Sequence, residues 1–442
     1  MINYFNDVYK NPLFLIWIIF FSISPIYWLP LSSIEFLDNA KQFIFFIAIF
    51  YSLFVIFNYK IYLFPSKNKG IFFFIFFIIA LLPGLSNTNP YEFSEFHDQF
   101  LLNEEKPNIS FAIMQFLPSI LVLLIFYNLN FKFENLLKIC SISAFIFSFF
   151  IFVHGLSFVF DNLNFQNPYV NSEAVYLQET GFSSYKTNWS NATAVMFPLI
   201  ILFYKKTIKQ IYIVWFFVIA VFFVQVLSGG RAGIISSFCV LFIYLCFYSN
   251  FKEIILSSLL LFILVYLYSD YTYLYQIFKF KDLEIHNYGD FQGFRIQQFI
   301  ISAQIISNNF FGGFGFDKNF DQMYKYFREF YDFKAFIPDY ELSTIKKVHN
   351  EFIRLYLEAG VLLFICILIF LINLTYKSYK LIFYYKKNND QNLIMSLVLF
   401  SIVITSFFGY YTMFGSFNNE PIFWATSGIL LSNYDNIFIR TS

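Results

Sequence analysis

Residues 348–360 read VHNEFIRLYLEAG: a histidine and an asparagine stand just before an apolar run with three charges in its first turns. Such a placement points to chemistry at a membrane surface. A charge within a bilayer-spanning helix is costly and faces a protein interior or a wet cavity, so Glu351, Arg354 and Glu358 mark a functional region. Their i, i+3, i+7 spacing lays them in one stripe of a helical wheel, where Arg354 can pair with both carboxylates. If the helix includes His349, counting 100° per residue sets the imidazole roughly opposite that stripe. The stripe reads as an internal ion-pair ladder and His349 as a separate group at the aqueous boundary.

Three cations elsewhere invite an anion. Arg231, in LSGGRAG, follows a glycine turn that opens a helix, and the helix-start N–H groups with a fixed guanidinium make a natural anion site. Arg295 in GFRIQQ is a second guanidinium beside an amphipathic stretch, and Lys186 in SSYKTNWSN is a third cation. Two or three of them converging suit a diphosphate. Each also has a plainer reading: Arg231 snorkelling at an interface, Arg295 solvated, Lys186 interfacial, His349 a cap or boundary residue. Asn350 and Ser190 read equally well as helix caps. Glu92, Glu95, His97 and Asp98 offer oxygens that a hard divalent cation could use, or are solvated loop acids. His154 and His286, like His97, lack motif context and read as structural or loop residues.

The elements that must position these groups are membrane helices. Hydrophobic residues make up 58% of the chain and charged ones only 13%, which excludes a soluble globular domain and predicts an all-α, polytopic membrane protein. Apolar runs predict about twelve spans: 12–31, 42–57, 70–85, 109–129, 136–160, 190–204, 208–227, 232–249, 254–269, 351–376, 393–414 and 421–432. The last is short for a core of ~30 Å. No small-residue cleavage site follows the first run, which reads as a retained span. The four cysteines, Cys140, Cys239, Cys246 and Cys366, lie in apolar runs without ligand spacing, so neither a disulfide framework nor a zinc site is expected.

With the N-terminus inside, the inner segments hold 15 basic and 5 acidic residues and the outer ones 13 basic and 21 acidic, net +10 against −8. The positive-inside rule then places both termini in the cytoplasm. Lys186, Arg231, Arg295 and His349 fall on the outer side. Three outer loops are long, 86–108, 161–189 and 270–350, and long loops in a compact architecture are usually functional. Within the third, FRIQQFIISAQII has helical spacing and the following FGGFGF is a breaker. No internal repeat relates the halves. The chain reads as one integral membrane domain over 1–442, with 270–350 as a periplasmic catalytic loop before the tenth span.

GFSSYKTNWSNATA before a span, LSGGRAG between two spans, an arginine and GGFGF in a large outer loop, and HNEFIRLYLEAG opening the next span together resemble the O-antigen ligase and polymerase superfamily. The likeness runs from about Gly181 to Gly360. It implies a metal-independent, inverting glycosyltransferase of the bacterial inner membrane, without cofactor, acting on undecaprenyl diphosphate glycans at the periplasmic face. Arg231 and Arg295 would bind the diphosphate and His349 would act as general base on the acceptor hydroxyl. Lys186 stands where related sequences are expected to carry arginine. The acceptor would be another lipid-linked glycan, for a polymerase, or a lipid A core, for a ligase; the net −8 outer side repels a phosphate-rich core and favours the polymerase. Membrane lipids, and no nucleic acid, are the other partners expected. The rival class is a lipid-glycan flippase or other polytopic transporter, which would not require His349.

Overall fold

The computed structural model describes residues 10–24, 35–57, 67–88, 109–129, 133–161, 186–227, 231–247, 291–316, 348, 350–388, 392–407 and 421–439, with isolated positions at 253, 255, 258 and 259. Among them the chain forms thirteen helices and no strand. In chain order these are α1 (Pro12–Ile23), α2 (Glu35–Phe57), α3 (Lys67–Asn87), α4 (Ile109–Asn128), α5 (Phe133–Asp161), α6 (Lys186–Thr207) and α7 (Ile211–Leu227). The remainder are α8 (Arg231–Phe247), α9 (Phe291–Asn308), α10 (Glu351–Ala359), α11 (Val361–Lys387), α12 (Leu393–Ser406) and α13 (Pro421–Phe438).

Helix starts follow from local chemistry. Asn11 caps α1 by accepting a hydrogen bond from Leu13 N at 3.0 Å, and Pro12 occupies the first helical position, where its missing N–H costs nothing. Between helices, Trp17 Nε1 donates to Ser52 Oγ at 2.9 Å, and Ser143 Oγ donates to Ile18 O at 3.3 Å. Interhelical hydrogen bonds of this kind average only about 0.6 kcal/mol. Close backbone approach also contributes. A Cβ at Gly428 of α13 would stand 2.5 Å from Leu123 O of α4, so this pair packs as it does only because the residue is glycine.

α6 is the central element. Every residue from 191 to 204 is buried, and the helix touches α5, α7, α8, α12 and α13. Peripheral helices do the reverse. α2 exposes Phe43, Phe46, Phe50, Phe54 and Phe57, and α11 exposes Ile365, Ile369, Ile372 and Tyr376. An apolar stripe turned outward is untenable in water and is what a lipid-facing helix requires. Two of the described helices, α5 and α11, are long and apolar enough to cross a membrane on length and composition.

The segment expected to be one span over 351–376 is two helices. The chain breaks at Gly360, whose φ of 97° and ψ of 171° leave helical space, so the three charges sit on the nine-residue α10 and the apolar span starts at Val361. Twenty-seven residues give α11 a length of about 40 Å, enough to cross unaided. The last helix is also longer than its apolar core implies, running to Phe438, about 27 Å over 18 residues. Of the expected ninth span, 254–269, only positions 255, 258 and 259 lie within the described residues.

Candidate active site

α10 is built for its position from both ends. Asn350 caps its start, its side chain accepting from Ile353 N at 3.0 Å, while Glu351 in the first turn complements the helix dipole. Arg354 Nη2 lies 2.6 Å from Glu351 Oε1, and its Nε is 4.0 Å from Glu358 Oε2. Both carboxylates are buried, at 1% and 0% exposure. At such burial a carboxylate is tolerable only beside a cation, so Arg354 holds two acids that would otherwise repel each other.

The other end of α10 meets a backbone junction. Last-turn carbonyls of a helix lack intrahelical partners, and here the FGGFGF segment supplies them. Gly313 N and Phe314 N donate to Leu357 O at 3.0 and 2.9 Å, and Gly315 N donates to Glu358 O at 3.0 Å. Across the break, Val361 N donates to Phe311 O at 3.0 Å, and Tyr356 Oη donates to Phe310 O. A Cβ at Gly360 would stand 2.8 Å from Phe311 O, so only glycine fits both the dihedral and the approach. α3 closes the junction, its Gly84 packed so tightly that a Cβ would lie 2.8 Å from Ala359 Cα.

Two of the cations stand at helix starts and the third just past the first turn of its helix. Lys186 is the first residue of α6, Arg231 the first of α8, and Arg295 the fifth of α9. α6, α7 and α8 are joined by segments of three residues, so neighbours run antiparallel and α6 and α8 run parallel, in contact. Lys186 and Arg231 therefore lie at the same end of the bundle. α9 ends in the junction, and α10 ends there too; Arg295 is thus about 20 Å up α9 from its C-terminal end, and Asn350, the residue after His349, is at the far end of α10. His349 itself lies outside the described residues, as do the side chains of Lys186, Arg231 and Arg295. So do Glu92, Glu95, His97, Asp98, His286 and the His154 side chain. Ser190 does not cap a helix, because α6 begins four residues earlier.

Sequence reasoning missed two sets of residues. Asn191, Thr193, Gln225, Ser236 and Ser237 are polar and buried, each within about two turns of the ends of α6, α7 and α8 that carry Lys186 and Arg231. Asn87 and Thr88 bind the junction: Asn87 Nδ2 donates to Gly313 O, and Thr88 Oγ1 accepts from Phe316 N at 2.9 Å. The available signal was the glycine density of FGGFGF, which serves close backbone approach as well as breaking a helix.

Residues 215–368, from α7 into the first third of α11, match the O-antigen ligase family. Over that stretch the chain is similar to the O-antigen ligases. The matched stretch encloses Arg231, Arg295, His349 and the charges of α10, and it excludes Lys186 and the helices before α7. No curated protein matches the chain. The match, with the all-helical fold and its outward apolar stripes, supports an integral membrane protein of surface-polysaccharide ligase or polymerase type.

Proposed function

We propose that the protein transfers glycan from undecaprenyl diphosphate to a sugar hydroxyl at the periplasmic face, without metal and with inversion, as a polymerase. The observation that carries this reading is the coincidence of the O-antigen ligase match with Arg231 and Arg295 near the starts of α8 and α9 and with His349 just ahead of α10. Helix starts favour negative charge and present free N–H groups.

His349 takes the proton from the acceptor hydroxyl as its oxygen bonds to the anomeric carbon. The bond from that carbon to the diphosphate oxygen breaks in the same displacement, which inverts the centre. Arg231 and Arg295, with Lys186, stabilise the charge growing on the departing diphosphate. The grouping of segments by side, though not which side faces the cytoplasm, has support from polar pairs that join groups assigned together. On the inner side Lys205 Nζ is 2.6 Å from Glu253 Oε1, and Lys377 Nζ is 3.7 Å from Asp435 Oδ1, which also accepts from Tyr127 at its other oxygen. Asn87, Thr88, Gly313 and Phe316 meet on the outer side.

The test is glycosyl transfer by purified protein in nanodiscs, given a lipid-linked donor and either a second lipid-linked glycan or a lipid A core. Chain extension by wild type but not by His349→Ala is the expected result. Donor movement across the bilayer without transfer would replace this reading with the transporter one.

A further inference from the structure

Building on that reading, we infer that Asn87 and Thr88, at the end of α3, are positioning residues of the transfer site. They clamp the Gly312–Phe316 segment onto α10 and thereby fix the helix bearing Arg295 relative to the helix that His349 precedes. Both residues lie outside the O-antigen ligase match, so this completes the domain with a part of the chain that the match does not reach.

Thr88 is 2% exposed, and its hydroxyl works in both directions. Oγ1 donates to Gly84 O at 2.6 Å and accepts from Phe316 N at 2.9 Å. That leaves the Phe316 amide satisfied inside a packed site, where Phe316 is itself fully buried and its ring lies 5.4 Å from that of Phe116 on α4. Asn87 Nδ2 donates to Gly313 O, while Gly313 N donates to Leu357 O, so one peptide unit away the strap is bonded to α3 and to α10. Pro83 Cβ and Gly84 pack on Gly313 and on Ala359 beneath these bonds.

The consequence is mechanical. α9 reaches the junction at its C-terminal end through Asn309–Phe311, and α10 reaches it at its own C-terminal end. Both are arms whose functional ends point away from one shared anchor, so a small rotation at the anchor is magnified at Arg295 and His349. Misplacement of reacting groups by about 1 Å costs as much as 10²-fold in rate. Loss of the clamp should therefore lower kcat while leaving donor capture, which several cations share, nearly intact.

The experiment uses the full chain in nanodiscs and compares wild type with Thr88→Val, Thr88→Ser and Asn87→Leu. Amide hydrogen exchange over 309–316 and 351–359 reports the clamp without reference to activity. Transfer kinetics report positioning. Thr88→Val and Asn87→Leu should exchange at least roughly tenfold faster there and lose roughly 10- to 10²-fold in kcat with KM for donor within about twofold, and Thr88→Ser should restore both. Unchanged exchange in Thr88→Val overturns the clamp. Faster exchange with unchanged kcat per folded protein overturns the positioning role alone, leaving transfer itself established. Wild-type protein with no transfer at all sinks the functional reading and the positioning role with it, and the exchange data still decide whether the clamp exists.

Discussion

At the scale of the residue, the proposed chemistry divides charge stabilisation from proton transfer, and the division can be measured. Arg231→Ala and Arg295→Ala should each lower transfer by roughly 10², the usual loss for one charge-stabilising donor. Lysine at either position should recover only part, because an ammonium cannot reproduce a planar two-pronged contact to phosphate oxygens. Normal turnover by a correctly inserted alanine variant removes that arginine from the site. His349→Ala should bind lipid-linked donor with wild-type affinity and scarcely transfer, since only the proton acceptor is gone; weakened binding with kcat preserved would instead assign the imidazole to the donor. Residue types and the helix starts at Arg231 and Glu351 were legible in the sequence, because apolar runs mark where helices begin, whereas α6 starts at Lys186, ahead of the cap expected at Ser190. Hydrogen-bond partners were not. Nothing in the local pattern around Thr88 announces that its hydroxyl satisfies an amide 228 residues away.

The break at Gly360 shows what periodicity leaves out at the scale of the element. Apolar residues continue at helical spacing through the glycine, and an isolated glycine in a helix is tolerated at about 1 kcal/mol, so the sequence reads as one span. What ends α10 is remote: FGGFGF carries the amides that take its last carbonyls, and Gly360 adopts φ of 97° to admit Phe311 O. Gly360→Ala should therefore cost well over the ordinary helix penalty and lower the melting temperature. A Gly360→Ala variant with unchanged melting would argue that α10 and α11 can fuse. Arg354→Ala tests the same short helix from its charged side. Removing the cation leaves Glu351 and Glu358 buried together, a loss of about 3 kcal/mol for a broken buried pair. Poor expression and a lower melting temperature should precede any specific catalytic defect. Unchanged melting would show that the acids find other compensation.

Charge is distributed over the whole molecule in a way that bears on metal dependence. The all-helical class was plain from composition, while the number of bilayer crossings depends on segments such as 254–269 that apolarity alone assigns. The segments assigned to the outer side by the positive-inside rule carry 21 acidic and 13 basic residues, yet the proposed donor is an anion. A net-negative face and a diphosphate repel at long range, and dissolved ions screen that repulsion beyond a Debye length of about 8 Å at physiological salt. Mg²⁺ can therefore raise the rate without taking part in the chemistry. The two roles separate when ionic strength is held constant. With NaCl compensating for the removed salt, EDTA should leave transfer within about twofold of its value in Mg²⁺, because guanidinium groups and helix starts already supply the charge that a metal would bring. Transfer abolished by EDTA at constant ionic strength, and restored by micromolar Mg²⁺ or Mn²⁺ but not by NaCl, would make a bound metal part of the reaction. Glu92, Glu95, His97 and Asp98 would then be the first ligands to replace, and the arginines would keep only an accessory part in holding the donor.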